Sequence, residues 1–155
     1  YIFTYLHIYI FTYLHIYIFT YNMNIEQYLR FFYAILSGII AGGLSGLLGI
    51  TGSVIILPLL LFFGIFKNYK LAIGTVIFTF DPILSIFALI QYAKENKIDY
   101  LIGIALFFSY MFGAYIGSKF NKIINEKMLK YITAFILLIL SLYVFYNGYN
   151  THAQN

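Results

Sequence analysis

The sequence predicts an all-α, polytopic transmembrane protein, and three observations support that fold class. The 155-residue chain is 63% hydrophobic and only 9% charged, whereas soluble domains carry about 25% charged residues. Apolar stretches of roughly 18 residues or more recur, and this is the length that crosses a hydrocarbon core. The stretches are continuously apolar, whereas transmembrane β-strands alternate apolar and polar positions over about ten residues. We therefore expect four to five helical segments that cross a lipid bilayer.

Composition also excludes several kinds of site. The chain contains no cysteine, which rules out thiolate metal sites, disulfides and thiol catalysis. Its net charge is +4, but the basic residues stand in short connectors, a pattern that indicates membrane orientation rather than nucleic-acid binding. The sequence shows no Ser/His/Asp set, metal-ligand cluster or phosphate loop. We expect no enzyme, no metal, no cofactor and no nucleic-acid partner.

Residues 1–22 are a low-complexity repeat of the octapeptide YIFTYLHI. An exact eight-residue period matches neither an α-helix nor a coiled coil, whose periods are about 3.6 and 3.5 residues. We expect this segment to be unfolded or not authentic, with translation starting at Met23. We therefore do not expect His7 and His15, which lie in this repeat, to act as metal ligands. Residues 23–149 are the expected transmembrane domain, and residues 150–155 are a polar tail.

Four apolar blocks, separated by polar connectors, make up the expected transmembrane domain. They span about residues 29–66, 71–93, 98–120 and 128–149. At a rise of about 1.5 Å per residue, the first block is far longer than the roughly 30 Å hydrocarbon core. Its glycines and Pro58 also weaken a continuous helix. We expect the first block to be broken, so that it re-enters or crosses the membrane twice.

The basic residues allow two models of the first block to be compared, since lysine and arginine collect on the cytoplasmic side. A single crossing places Arg30, Lys94 and Lys97 opposite six lysines. A double crossing places seven basic residues on one side, opposite Lys94 and Lys97. These seven are Arg30, Lys67, Lys70, Lys119, Lys122, Lys127 and Lys130. The more uneven seven-to-two split favours the two-pass or re-entrant model, with Met23 on the inside.

The first candidate site is substrate-binding and consists of Gly49, Thr51, Gly52 and Ser53. A helix that restarts within a membrane presents unpaired N–H groups and a partial positive charge, and transporters use such broken helices to hold anions near the midplane. Glycines let an anion approach the backbone, and the two hydroxyls add hydrogen-bond donors. Close helix packing is the alternative for these small residues, and both explanations stay open.

Helix packing is the favoured explanation for the other closely spaced glycines, because small residues at this spacing let helix backbones approach each other. These are Gly38, Gly42 and Gly46 in the first block, with Gly113 and Gly117 in the third. Tyrosines near the ends of the blocks, among them Tyr110, fit the aromatic belts found at membrane interfaces.

The second candidate site is Asp81, which is followed by Pro82 near the middle of the second block. A charged side chain at that depth costs about 2.5–3.5 kcal/mol on insertion scales, so it indicates function. We expect proton coupling at Asp81, with a proline kink opening a polar pocket lined by Thr75, Thr79 and Ser85. The compatible alternative is that Asp81 caps a helix that restarts at Pro82.

Residues 38–64, GIIAGGLSGLLGITGSVIILPLLLFFG, resemble the opening signature of the sulfite exporter (TauE/SafE) family of membrane permeases. The matching positions are Gly38, Gly42, Gly46, Gly49, Gly52 and Pro58, whereas Thr51 and Ser53 stand where the family usually has glycine. Weaker matches at residues 72–75, 98–100 and 113–117 extend the resemblance over about residues 36–146. It implies secondary transport of small sulfur-containing or related organic anions across a plasma or inner membrane.

Members of this family usually contain two such repeats, and this chain resembles the first alone. The resemblance therefore implies a half-size permease that pairs with itself as a homodimer or with a separately encoded second half. Asp81-Pro82 is not a family feature. The alternative function is a non-transporting small membrane protein, or a truncated remnant, whose glycines serve only helix packing.

Overall fold

The computed structural model describes residues 25–66 and 68–152. The octapeptide repeat of residues 1–22 lies outside the described residues, as do Lys67 and residues 153–155. Every regular element in the described part of the chain is an α-helix, which confirms the all-α class. The helices are α1 (Ile25–Leu48), α2 (Gly52–Phe62), α3 (Tyr69–Phe80), α4 (Ile86–Lys94), α5 (Tyr100–Asn121) and α6 (Glu126–His152). The segment 150–155, expected as a polar tail, begins within α6.

Three of these helices, α1, α5 and α6, are long and apolar enough to cross a membrane. The 24 residues of α1 and the 22 of α5 extend about 36 and 33 Å at 1.5 Å per residue, slightly more than the roughly 30 Å hydrocarbon core. With 11 and 12 residues, α2 and α3 are each too short to cross alone. The chain is an integral membrane protein, and the count of four to five crossings stays a prediction.

The first block is broken at residues 49–51, as expected, and the chain then turns back. Gly49 follows α1 with a φ of 71°, a left-handed conformation that glycine adopts without a steric penalty. Its N–H donates to the carbonyl oxygen of Ser45 at 2.8 Å, which ends the helix. The aromatic rings of Tyr33 in α1 and Phe63 just after α2 stack with centroids 5.2 Å apart. The two helices are therefore antiparallel.

The far end of this first hairpin closes beside the start of α1. A second left-handed glycine, Gly64, stops α2, and the N–H of Ile65 donates to the carbonyl of Leu60 at 3.0 Å, as in a Schellman motif. Arg30 of α1 donates from Nε to the Ile65 carbonyl at 2.9 Å. Both ends of the first block consequently lie side by side.

The second block is also a hairpin, where the sequence predicted one kinked span. After α3 the chain turns over residues 81–85, and α4 runs back along α3. A Cβ on Gly74 of α3 would overlap the carbonyl oxygen of Lys97 and lie 3.1 Å from the Tyr92 ring. A hydrogen bond from Lys97 lowers the pKa of the Glu95 carboxyl, and the charge of nearby Lys70 adds to this effect. Lys70 and Lys97 therefore lie at the same end of the hairpin.

This topology corrects the predicted seven-to-two distribution of basic residues, which required the second block to cross as one helix. Four of the described basic residues lie at one end of the helices, called here the Arg30 end: Arg30, Lys70, Lys94 and Lys97. Four lie at the opposite end, called the Lys119 end: Lys119, Lys122, Lys127 and Lys130. The described basic residues are therefore divided between the two ends of the helices, rather than collected seven to two.

The helices assemble around a close contact between α1 and α5. Contacts follow the same order along both helices, from Gly38 against Ser109 to Leu47, whose carbonyl accepts from Asn121 Nδ2 at 2.6 Å. The two helices are therefore parallel. The structure places all five glycines expected in packing within this contact: Gly38, Gly42, Gly46, Gly113 and Gly117. Because lipid is as apolar as the side chains, this close backbone approach supplies packing energy that a hydrophobic effect cannot.

Candidate functional site

The break between α1 and α2 and the break between α3 and α4 meet at one side chain, Tyr110 of α5. The Tyr110 ring lies against Gly52, the first residue of α2, where an added Cβ would be 2.7 Å from Cζ. The same ring meets Phe80, the last residue of α3, edge-on with centroids 4.7 Å apart. One aromatic side chain therefore links the start of one half-helix to the end of another.

Hydrogen bonds fix the Tyr110 hydroxyl to the first break. Its oxygen lies 2.6 Å from Ser45 Oγ, and Ser45 Oγ lies 2.5 Å from the carbonyl oxygen of Ile50. A carbonyl can only accept, so the single Ser45 proton goes to Ile50, and Tyr110 is the donor to Ser45. This chain of hydrogen bonds satisfies a carbonyl that the break in the helix would otherwise leave without a partner.

The first two amides of α2 have no hydrogen-bond acceptor among the described residues. Thr51 is the N-cap residue, but its side chain makes no capping hydrogen bond. The N–H of Val54 donates to the Thr51 carbonyl at 3.1 Å, whereas those of Gly52 and Ser53 have no acceptor among the described residues. Thr51 is exposed, Ser53 is half-buried, and Gly52 is buried beneath Tyr110. The predicted site residues thus form the break itself, with Gly49 supplying the left-handed turn.

The break lies away from the middle of the helices, where the sequence placed it near the midplane. Tyr110 stands at the middle of α5, and its backbone is level with Gly42 of α1. Gly49 follows Gly42 by seven residues, which corresponds to about 10 Å along the helix. The candidate site is therefore nearer the Lys119 end than the Arg30 end.

Asp81 lies at the second break, as the residue that ends α3. Its N–H donates to the Ile77 carbonyl at 3.0 Å, and its own carbonyl accepts from the Ser85 N–H at 2.9 Å. Because the residue before a proline avoids the helical conformation, α3 stops here. The next helix begins only at Ile86, with Ser85 as its N-cap. The alternative that Asp81 caps a helix beginning at Pro82 is therefore wrong.

Thr75 and Thr79, which were expected to line a pocket beside Asp81, lie in the contact between α3 and α5. Thr75 Oγ1 donates to the Leu71 carbonyl and accepts from the Asp99 N–H, both at 2.9 Å. Thr79 Oγ1 donates to the Thr75 carbonyl at 2.8 Å, with the Gly103 carbonyl at 3.2 Å. Of the three expected pocket residues, the structure brings only Ser85 next to Asp81.

Sequence reasoning missed Ser45 and Tyr110 as parts of the site. The sequence pattern predicts an interfacial belt position for Tyr110, but this residue stands in the middle of an apolar helix, where such belts do not lie. That position was the available signal, since a phenol hydroxyl in the hydrocarbon region needs a polar partner. Among the described residues, no three histidine, aspartate or glutamate side chains come together as a metal site.

Sequence comparison relates this chain to one family and to several membrane transporter proteins. A family model described as "Sulfite exporter TauE/SafE" matches residues 34–155. A probable membrane transporter protein of Methanocaldococcus jannaschii is 31% identical over 121 residues, which cover 71% of this chain and 43% of that protein. The probable membrane transporter protein YdhB of Bacillus subtilis is 32% identical, over 63% of this chain and 39% of YdhB. The probable membrane transporter protein YunE of B. subtilis is 27% identical, over 74% of this chain and 44% of YunE.

The chain thus spans about two fifths of the length of these curated relatives. No solved structure matches it significantly. The family match includes all of α2 to α5, and with them both helix breaks and Tyr110. The resemblance seen in residues 38–64 is confirmed: the chain belongs to the sulfite exporter TauE/SafE family of membrane transporters.

Proposed function

We propose that this chain is half of a permease for small anions, with sulfite, other sulfur-containing oxyanions and organosulfonates as its substrate class. Family membership supports the substrate class, and the relatives' descriptions support membrane transport. The observation that carries the proposal is the broken helix of the first block. Its first amides, at Gly52 and Ser53, have no acceptor among the described residues.

The chemistry of this helix end suits an oxyanion. The unpaired N–H groups carry the positive end of the helix dipole, which stabilises a nearby anion by about 0.3–1 kcal/mol when exposed and up to about 2 kcal/mol when partly buried. Hydrogen bonds to a charged group contribute about 1.5–3 kcal/mol each, and the hydroxyls of Thr51 and Ser53 add two donors. Binding through neutral donors also allows release, because no fixed positive charge holds the anion.

Two further parts of the proposal concern the partner and the coupling ion. The resemblance of residues 38–64 to the first of the family's two repeats supports the proposed partner, a second copy of the chain or a separately encoded second half. Asp81 would carry a proton, because it is half-buried at the second break and follows Phe80, which contacts the Tyr110 ring.

Flux measurements on reconstituted protein test the proposal. Proteoliposomes that contain the purified chain should accumulate radiolabelled sulfite. Gly52→Leu should abolish uptake, because the new side chain would overlap the Tyr110 ring and fill the space beside the amides. Gly148→Leu is the matched control, since a Cβ on Gly148 in α6 meets nothing within 4 Å. Ser53→Ala should raise the KM about 10- to 100-fold, as expected for one hydrogen bond to an anion. Equal uptake by the parent and Gly52→Leu would refute the site.

The alternative function, a non-transporting membrane protein, makes its own prediction in the same experiment. It predicts no sulfite uptake by the chain alone, and no partner chain that co-purifies and restores uptake. Wild-type thermal stability of the Gly52→Leu protein would show that any loss of uptake does not come from unfolding.

A further inference from the structure

Tyr110 covers the part of α2 where the proposed anion would bind. Its ring lies against Gly52, and an added Cβ there would be 2.7 Å from both Cζ and the hydroxyl oxygen. Gly52 is buried for this reason, although Thr51 beside it is exposed. The Ser45 hydroxyl accepts from Tyr110 at 2.6 Å and holds the ring in this position. A solute therefore cannot reach the Gly52 amide past the ring as it stands.

We propose that Tyr110 is a gate over the first turn of α2, and that Ser45 is the latch that keeps it closed. The gate deepens the proposed function, on which its role in transport rests. Ser45 suits a latch because its single hydroxyl joins two elements: it donates to the Ile50 carbonyl in the break and accepts from Tyr110 on α5. Opening breaks one neutral hydrogen bond and exposes the end of α2.

The surroundings of Tyr110 restrict which parts can move. The α5 backbone is held against α1, since a Cβ on Gly42 would lie 2.9 Å from the carbonyl carbon of Tyr110 and from the nitrogen of Ala114. The break itself has space, since a Cβ on Gly49 would meet nothing within 4 Å. Opening therefore consists of a swing of the Tyr110 side chain, or a shift of the 49–52 segment, against a fixed α1–α5 pair.

Phe80 extends the gate to the second break. It meets the Tyr110 ring edge-on at 4.7 Å, and the α3–α4 turn begins at the next residue, Asp81. A swing of the ring must therefore displace or release Phe80. A conformational change at Asp81 can therefore move Phe80, and Phe80 in turn can move the Tyr110 ring at the start of α2, while the α5 backbone stays in place.

The chain contains no cysteine, so a single introduced thiol reports on the gate directly. Ser53→Cys places that thiol on the first turn of α2, and its reaction rate with a water-soluble, negatively charged methanethiosulfonate is measured in proteoliposomes. Adding Tyr110→Phe keeps the ring but removes its hydrogen bond to Ser45. The Ser53→Cys thiol should then react roughly 2- to 10-fold faster, as expected for the loss of one neutral hydrogen bond. Ser45→Ala should have a similar effect.

Two controls separate the gate from general loosening of the protein. Tyr115→Phe is the matched substitution on the same helix, at an exposed tyrosine that contacts Lys119, and it should leave the rate unchanged. A thiol from Ser118→Cys, exposed near the end of α5, should react equally fast with and without Tyr110→Phe. Ser45→Ala already removes the hydrogen bond that Tyr110→Phe removes, so the double variant should react no faster than Ser45→Ala alone.

The labelling rates of the introduced thiols test the gate whether or not the chain transports sulfite. An unchanged Ser53→Cys rate in Tyr110→Phe overturns the gate even if sulfite flux is found, and so does an additive effect in the double variant. A faster rate together with the shared effect supports the gate even if the chain carries no sulfite, in which case only the proposed substrate fails.

Discussion

Two neighbouring glycines of α1 allow the α1–α5 contact to be tested with matched substitutions. In Gly42→Ala, the new Cβ would lie 2.9 Å from the nitrogen of Ala114 and overlap the carbonyl oxygen of Tyr110. In Gly43→Ala, the new Cβ would meet the carbonyl oxygen of Gly113 at 3.8 Å, an ordinary contact. Only the first change forces two helix backbones apart, because backbone atoms cannot rotate away as side chains do.

The expected difference can be worked out because the helix propensity terms cancel. Replacing glycine by alanine inside a helix stabilises it by roughly 0.5–1 kcal/mol, and both variants gain this equally. Forcing an extra carbon into a packed interface costs about 1–3 kcal/mol, and only Gly42→Ala pays it. The free energy of unfolding of Gly42→Ala should therefore be about 1–3 kcal/mol below that of Gly43→Ala.

Thermal unfolding in detergent, followed by far-ultraviolet circular dichroism, measures this difference. For a chain of this size, about 1 kcal/mol shifts the Tm by roughly 2–4 °C, so the two variants should differ by several degrees. Gly43→Ala should unfold at or slightly above the Tm of the parent protein. Equal Tm values, or a lower value for Gly43→Ala, would show that α1 and α5 do not pack through these glycines in this register.

Three further predictions concern charged residues. If Asp81 carries a proton, Asp81→Asn should flatten the pH dependence of sulfite flux in proteoliposomes; an unchanged pH profile would dismiss this role. Among the described basic residues, replacing Lys122 and Lys127 with glutamine leaves two at the Lys119 end against four at the Arg30 end, so the Arg30 end should face the cytoplasm. A thiol introduced in the 122–125 loop and labelled in intact cells reports this orientation. The hydrogen bond from Lys97 lowers the pKa of Glu95 from its usual value. The stabilisation from this hydrogen bond is therefore present above the unfolded-state pKa of Glu95 and is lost as the pH falls through the folded-state pKa. In Lys97→Gln the pKa of Glu95 should rise, which a carbon-detected NMR titration would show; no change would mean that Lys97 does not hold this carboxylate.

The first helix break could be predicted because its cause is local. Gly49 takes a left-handed φ that other residues avoid, and the first block is too long to cross a bilayer once. The first property depends on the residue type at one position and the second on the length of an apolar stretch. Both can be read from the sequence. The family signature in residues 38–64 is equally local, and the match over residues 34–155 confirms it.

The second hairpin could not be predicted, because its local signal has two outcomes. Asp81-Pro82 ends a helix whether the chain then continues across the membrane or turns back. The contact of Gly74 with Lys97 shows that it turns back, and this contact joins residues far apart in the sequence. The wrong seven-to-two charge split followed from the same ambiguity, since one reversal moves every later lysine to the other side.

The membrane location, the break in the first block near Gly49 and the family could all be predicted from the sequence. Those properties follow from apolar length, glycine conformation and a local motif. By contrast, the contacts of Tyr110 with both breaks and the hydrogen bonds of Thr75 and Thr79 to residues 99 and 103 depend on how the helices pack. The register of α1 on α5 brings Ser45 and Tyr110 together across 65 residues, and such a register depends on how backbones fit in three dimensions.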